Sequence, residues 1–161
     1  MSIEKAREYL KQFGADGRIL EFDVSSATVE FAAVAVGVEP ARIAKTLSFS
    51  VDGAPVLIVV AGDAKVDNRK YKEYFHQKAK MLAREEAAVL VGHAVGGVCP
   101  FGVNDGVTTY LDESLRRFKT VFPAAGSDNS AIELTLDELT AFSRAKAWID
   151  VCKLPEEAVE G

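Results

Sequence analysis

Ile3, Ala6, Leu10 and Phe13 recur at helical spacing and Gly14 follows them, so the chain opens with a predicted amphipathic helix over 2–13. Residues 19–22 read as a short strand. Thr28 is placed to cap a second helix that runs to about Val36, where Gly37 and Pro40 end it. Residues 44–49 alternate as a strand does, Asp52-Gly53 supplies a turn, and residues 56–61 are apolar enough for a buried strand. Helical patterns follow over 68–75 and 84–91, the second closed by Gly92. Further strands are predicted at 107–111, 119–122, 131–134 and 147–151. Between the last two, Thr135-Leu136-Asp137-Glu138 is a capping box that opens a helix to about Arg144. The strands are short and many, and helices do not alternate with them strictly. That pattern predicts an α+β fold with a mixed, curved sheet instead of a doubly wound one.

One stretch departs from this periodicity. Residues 92–102 hold four glycines, Pro100, His93 and Cys99. Glycine lets backbone N–H groups come close to a ligand, and proline stiffens the segment. The stretch therefore suits a backbone-made binding site. Its spacing matches neither the dinucleotide fingerprint nor the P-loop.

The chain has 161 residues, which predicts one domain over 1–152, followed by an acidic, flexible tail over 153–161. No apolar run reaches the roughly 18 residues that span a bilayer, and the charged N-terminus lacks an apolar signal segment. Cys99 and Cys152 are too few for a disulfide framework and form no zinc pattern with His76 and His93. These features predict a cytoplasmic protein with reduced thiols and no metal or organic cofactor. The net charge of −5 argues against coating long stretches of nucleic acid, DNA included. It leaves room for a small pocket that grips the end of one strand.

Three segments, in order, resemble the YbaK/prolyl-tRNA-synthetase-associated editing domains, which are free-standing aminoacyl-tRNA deacylases. The first is residues 42–47, similar to the strand that bears the family's functional lysine, here Lys45. The second is residues 95–102, which contain the family's Gly-x-x-x-Pro loop as Gly96 to Pro100. The third is residues 125–139, similar to the family's closing Gly-x-x-Asn turn, strand and helix. The resemblance covers about residues 2–152. It implies a YbaK-like fold with a strongly curved, barrel-like sheet. It also implies hydrolysis of the ester between a wrong, small amino acid and the 3′ end of a tRNA. On that reading the partners are the tRNA acceptor end and, for added grip, a synthetase. The substrate's own ribose hydroxyl would assist the water, so no side-chain nucleophile is required.

The resemblance makes Lys45, Gly96, Gly97 and Pro100 the candidate catalytic set. Thr46, His93, Val98, Cys99, Phe101, Gly102, Gly126, Ser127 and Asn129 are the candidate substrate-binding set. Backbone N–H groups about Gly96 and Gly97 could hold the developing oxyanion, each such donor being worth roughly 10²–10³ in rate. Lys45 could anchor the terminal phosphate or ribose, or it could be an ordinary exposed strand lysine. His93 could cap the helix before it. Cys99 and His93, six residues apart, could form a nucleophile–base pair. Cys99 could instead be a small buried hydrophobe, or line the amino-acid pocket with Phe101. Asn129 could meet substrate or hold a turn. Ala131 stands where some members of the family carry an aspartate, which argues against the cysteine-specific subgroup. Tyr71, Tyr74 and Phe75 with Lys70 and Lys72 could stack a terminal base or form a half-buried helix face. Two rival functions stay open: a silent nucleotide or aminoacyl-adenosine binding module of the same fold, and a hydrolase that depends on Cys99.

Overall fold

The structure, a computed structural model, describes residues 2–23, 28–93 and 98–155. Helix α1 (Ser2–Leu10) buries Ala6 and Leu10, and a 3₁₀ turn over Lys11–Phe13 completes the predicted helix. Gly14 then turns left-handed and its N–H closes on Lys11 O. A short strand, β1 (Leu20–Glu21), precedes α2 (Val29–Val36). Thr28 caps α2 by accepting from the Phe31 amide at 3.2 Å, and Gly37 ends it at φ 75°. Strands β2 (Ile43–Val51) and β3 (Ala54–Ala61) form a hairpin, paired from Ala44↔Ala61 to Val51↔Ala54. Asp52 and Gly53 at its tip both take positive φ, 52° and 80°, as a two-residue turn that follows strand twist requires. Next come β4 (Lys65–Val66), α3 (Asn68–Phe75) and α4 (Arg84–Leu90). The Asp67 carboxylate caps α3 through the amides of Arg69 and Lys70.

The second half supplies β5 (Thr108–Asp112), β6 (Thr120–Pro123), β7 (Ser130–Ala131), β8 (Leu134–Thr135), α5 (Leu136–Ser143), β9 (Ala147–Ile149) and β10 (Cys152–Lys153). The capping box at the start of α5 closes in both directions. Thr135 Oγ1 accepts from Glu138 N at 3.1 Å, and Glu138 Oε1 accepts from Thr135 N at 3.0 Å.

The main sheet runs β8-β6-β2-β3-β5-β9 and curls into a half-barrel. Parallel pairs (β2 with β6, β3 with β5, β5 with β9) mix with antiparallel ones (β2 with β3, β6 with β8). β3 lies at its centre. Its residues from Val56 to Ala61 are all buried, because both faces of the sheet are covered. On one side of β2, Ile43 packs with Ala32 and Ala33 of α2 and with Phe122.

Two expectations need correction. The strand predicted at 131–134 is two pieces with different partners. β7 pairs with β1, and β8 pairs with β6. Between them Ile132 N donates to Pro123 O at 3.0 Å, and the exposed Glu133 turns out to Thr120 Oγ1 at 2.7 Å. The strand predicted at 147–151 stops at Ile149. Val151 N then donates to the Asp112 carboxylate at 2.9 Å, and β10 crosses to β4. β10 runs through the 152/153 boundary drawn from composition, and Leu154 packs on the core. Residues 156–161 lie outside the described residues. No helix among the described residues is long and apolar enough to cross a membrane.

Candidate active site

The N-terminal part of β2, the first turn of α2 and the turn after β6 enclose a cleft of about 80 Å³. Ile43, Ala44, Lys45 and Thr46 form its β2 wall, and Thr28, Val29 and Ala32 its α2 wall. Phe122, Ala124, Ser130 and Ala131 close another side, and Val98 reaches in from the glycine-rich stretch. Small side chains at Ala32, Ala44, Ala124 and Ala131 keep this space open. The volume is far below the ~300–1,000 Å³ of a site for a drug-sized ligand, so it suits a small side chain.

Gly62 sets the close approach behind the cleft. A Cβ there would lie 2.1 Å from Pro40 O and 2.7 Å from Val29 Cγ1. Only glycine lets the end of β3 touch both the entry to β2 and the helix that lines the cleft.

Two polar groups of the cleft lack partners. Lys45 sits mid-sheet opposite Val60 and is half-buried, yet its ammonium makes no hydrogen bond or ion pair among the described residues. Asp63 exerts a favourable field on it, but that carboxylate is held by Arg117 at 2.5 and 3.0 Å. Burial therefore lowers the Lys45 pKa from its ordinary value, with little compensation. Thr46 Oγ1 is buried and has no hydrogen-bond partner among the described residues. A buried hydroxyl without a partner costs free energy, which a bound ligand would recover. A cation and a buried hydroxyl, both from residues that line the cleft and both unpartnered among the described residues, make it the candidate binding site.

Gly96 and Gly97 lie outside the described residues. The flanks of their loop are built into the fold. Asn104 Nδ2 donates to Val89 O at 2.9 Å and Leu90 O at 3.3 Å, which caps α4. Lys5 reaches Asn104 Oδ1 at 3.0 Å and Gly92 O at 3.4 Å. The cap considered for His93 is made by Asn104 and Lys5. Gly102 has φ +70°, and a Cβ there would meet Lys5 O at 2.9 Å, so the loop's exit lies tight on α1. Pro100 is buried and borders a separate cavity of about 190 Å³ with Tyr9, Ser143 and Arg144.

His93, Cys99 and Phe101 are core residues, at most 1% exposed, and none of them lines the cleft. His93 Nε2 lies 2.7 Å from Phe101 O. A carbonyl only accepts, so Nε2 carries the proton and Nδ1 is buried without a partner among the described residues. Burial keeps the ring neutral by lowering its pKa. Cys99 Sγ is 3.6 Å from that same protonated nitrogen, which therefore cannot accept the thiol proton. Burial pushes the thiol up to about 12. The pair lacks both the thiolate and the base that a Cys99-dependent hydrolase needs.

Gly126 is buried at φ 98° and begins the turn beside the cleft. Ser127 Oγ donates to Asn129 Oδ1 at 2.8 Å and lies 2.7 Å from Ser130 Oγ. Asn129 Nδ2 donates to Phe22 O at 3.0 Å, and Asn129 O accepts from Phe22 N at 2.8 Å. The side-chain nitrogen and backbone carbonyl of Asn129 thus fasten the β1 segment, while its Oδ1 is taken by Ser127. The aromatic patch on α3 is likewise internal at its centre. Tyr71 is fully buried, with ring centroids 5.2 Å from Phe49 and 4.6 Å from Phe75. Lys70 is tied to Asp150 at 3.2 Å and Cys152 O at 2.8 Å.

Of the residues named from sequence, the fold brings Lys45, Thr46 and Val98 to the cleft. It adds a wall that no motif marked. Thr28, Val29 and Ala32 read only as a capped helix start, Ser130 was not singled out, and Ala131 stood out only as strand and as the place where some members of the family carry an aspartate. Among the described residues no group of three His, Cys, Asp or Glu could hold a metal ion.

Comparison with known proteins identifies the family and the fold. The sequence profile of the aminoacyl-tRNA editing domain family matches residues 24–142. The chain belongs to that family. It is 54% identical over 154 residues to the uncharacterized protein YwhH of Bacillus subtilis (strain 168), covering 95% of this chain and 98% of YwhH. It is 33% identical over 90 residues to the proline–tRNA ligase of Geobacillus sp. (strain WCH70), a match that spans 55% of this chain and 16% of the ligase. A solved structure described as a candidate trans-editing enzyme for prolyl tRNA synthetase superposes with a TM-score of 0.85 at 30% identity, covering 94% of this chain and 97% of that one. The YbaK-like fold expected from the resemblance is the fold the chain adopts.

Proposed function

We propose that this protein is a trans-editing aminoacyl-tRNA deacylase that hydrolyses the ester of a small amino acid wrongly attached to a tRNA 3′ end. The observation that carries the reading is the small cleft with an unpaired Lys45 ammonium and an orphan Thr46 hydroxyl on one strand. The aminoacyl side chain enters among Ala32, Ala44, Ala124 and Ala131, where only a small group fits. Lys45 meets the terminal phosphate or ribose as a cation, and Thr46 offers its hydroxyl to the ester or the amino group. Water attacks the carbonyl carbon, the acyl C–O bond breaks, and the ribose oxygen leaves with a proton. The Gly96–Pro100 loop supplies the backbone N–H groups that hold the oxyanion. The likeness to proline–tRNA ligases and to a candidate editing partner of prolyl tRNA synthetase makes a mischarged proline tRNA the first substrate to try. A synthetase would add grip that an acidic chain lacks.

The test is deacylation of tRNAs charged with Ala, Ser, Cys, Thr and Pro, by wild type and Lys45→Ala, with and without a synthetase. One or two esters should be cleaved by wild type and at least tenfold more slowly by the variant. If wild type cleaves none of them under either condition, the reading fails.

A further inference from the structure

Residues 65–80 hold six Lys and Arg against two Asp and Glu, a net of +4 in a chain whose total is −5. The rest of the chain therefore sums to −9. Folding draws these cations into a track that starts beside the cleft. Lys65 in β4 stands opposite Lys153 in β10, and its charge is felt at Lys45. α3 then presents Arg69 and Lys72. Residues 78–82 return alongside β2, with Ser50 N donating to Lys80 O at 2.8 Å and Leu82 N to Ser48 O at 3.0 Å. β2 is the strand that bears Lys45. Ser48 and Ser50 lie three and five residues beyond it, roughly 10–17 Å at about 3.3 Å per residue.

A trough of about 560 Å³ opens along this track, lined by Asn68, Arg69, Lys72, Lys78 and Ala79, with no carboxylate among them. Lys65, Lys72, Lys78, Lys80 and Lys153 are exposed, and their ammonium groups make no hydrogen bond or ion pair among the described residues. Arg69 is held by Glu73 at 3.3 Å, and Lys70 by Asp150 at 3.2 Å and Cys152 O at 2.8 Å. A row of unpaired cations on a protein that is otherwise strongly acidic focuses its field on a polyanion and repels little else.

We propose that this cationic track is the docking surface for the phosphate backbone of the RNA arm whose 3′ end enters the cleft. The identity of that RNA rests on the deacylase reading; the binding it describes does not need catalysis. The acidic remainder of the surface confines the RNA to this side. The track thus sets the direction from which the ester arrives at Lys45.

The experiment compares two triple variants of equal net charge. One is Lys72→Ala/Lys78→Ala/Lys80→Ala on the track. The other is Lys11→Ala/Lys119→Ala/Lys146→Ala elsewhere on the surface. Matching circular dichroism and melting temperature are checked first, and Lys→Gln at the three track positions serves where alanine disturbs the fold. Binding of uncharged tRNA is read by fluorescence anisotropy between about 50 and 200 mM salt. With each phosphate contact worth about 0.7–0.9 in the slope of log K against log salt, the track variant should lose about 2–3 in slope, and the control nothing comparable. Hydrolysis adds a second readout. The track variant should lose at least tenfold more kcat/KM on aminoacyl-tRNA than on aminoacyl-adenosine, which has no acceptor arm. Equal slopes for the two triples, or equal losses on both substrates, overturn the proposal. If wild type hydrolyses nothing but the slopes still separate, the RNA surface stands and the deacylase reading falls. Hydrolysis that persists with equal slopes does the reverse.

Discussion

Replacing Lys45 with methionine should move activity and stability in opposite directions. Methionine has nearly the same length and fills the same space without a charge. The Lys45 ammonium is half-buried with no ion pair among the described residues, and Asp63, whose field it feels, is held by Arg117 through both carboxylate oxygens. Lys45→Met therefore relieves a desolvation cost and breaks no contact. A gain of up to about 1 kcal/mol is expected, which for a chain of this size raises Tm by about 2–4 °C. The pH dependence has a definite sign. Burial lowers the folded pKa below the ordinary 10.5, so across the window between the two values the unfolded chain holds the extra proton. Wild-type stability then rises with pH through that alkaline window, and the penalty is full below it. The advantage of Lys45→Met should be largest at neutral pH and fade toward pH ~10.5. Activity should fall. A charge-assisted hydrogen bond of about 1.5–3 kcal/mol is lost from substrate, which is roughly 10- to 150-fold in kcat/KM. The assays are deacylation of the best mischarged tRNA and thermal melts at neutral and alkaline pH. If the variant retains kcat/KM within twofold, or loses 1 kcal/mol or more of stability, Lys45 is a structural residue and the reasoning is wrong.

Gly62→Ala should cost about 1–3 kcal/mol, or roughly 3–10 °C in Tm, because its Cβ would collide with Pro40 O and Val29; an unchanged Tm would show that these segments part freely. Cys99, fully buried with its thiol held up to about 12, should resist iodoacetamide in the native protein and react only on unfolding. Cys99→Ala should hydrolyse substrate as wild type does, and a dead but stably folded variant would revive the thiol mechanism. Glu138 is held at about 2 by Arg18, which contacts it at 2.7 and 3.0 Å. Since that pKa lies below the ordinary 4.5, the contribution is complete above pH ~4.5 and is lost as pH falls toward ~2. Glu138→Gln should cost about 0.5–1 kcal/mol at pH 7 after solvent screening. That gap should shrink at pH 3 in urea titrations, and a constant gap would rule out the ion pair as its source.

Local signals carried much of the fold. The Thr28 cap, Gly37, the Asp52-Gly53 turn and the Thr135–Glu138 capping box each sit within a few residues of the element they start or stop. The apolar run of β3 needed no partner to be recognised. β4 and β10 were illegible because two residues have no period, and each is a strand only through the other. The break between β7 and β8 was hidden for a related reason: an apolar stretch carries no mark of where it changes partners.

The site divides along the same line. Strand alternation left Lys45 as either an exposed lysine or a functional one. His93 and Cys99 looked like a chemical pair because six residues separate them, and the fold places both in the core with the imidazole proton spent on Phe101 O. By itself, then, the sequence determined the helix ends, the hairpin, the α+β class and a short set of candidates, since backbone preferences and capping act over one to four residues. Only the tertiary structure decided which candidates share a cleft, which are buried and which charge lacks a partner. Those properties depend on residues brought from far along the chain: Arg117, 54 positions beyond Asp63, occupies the carboxylate whose field Lys45 feels.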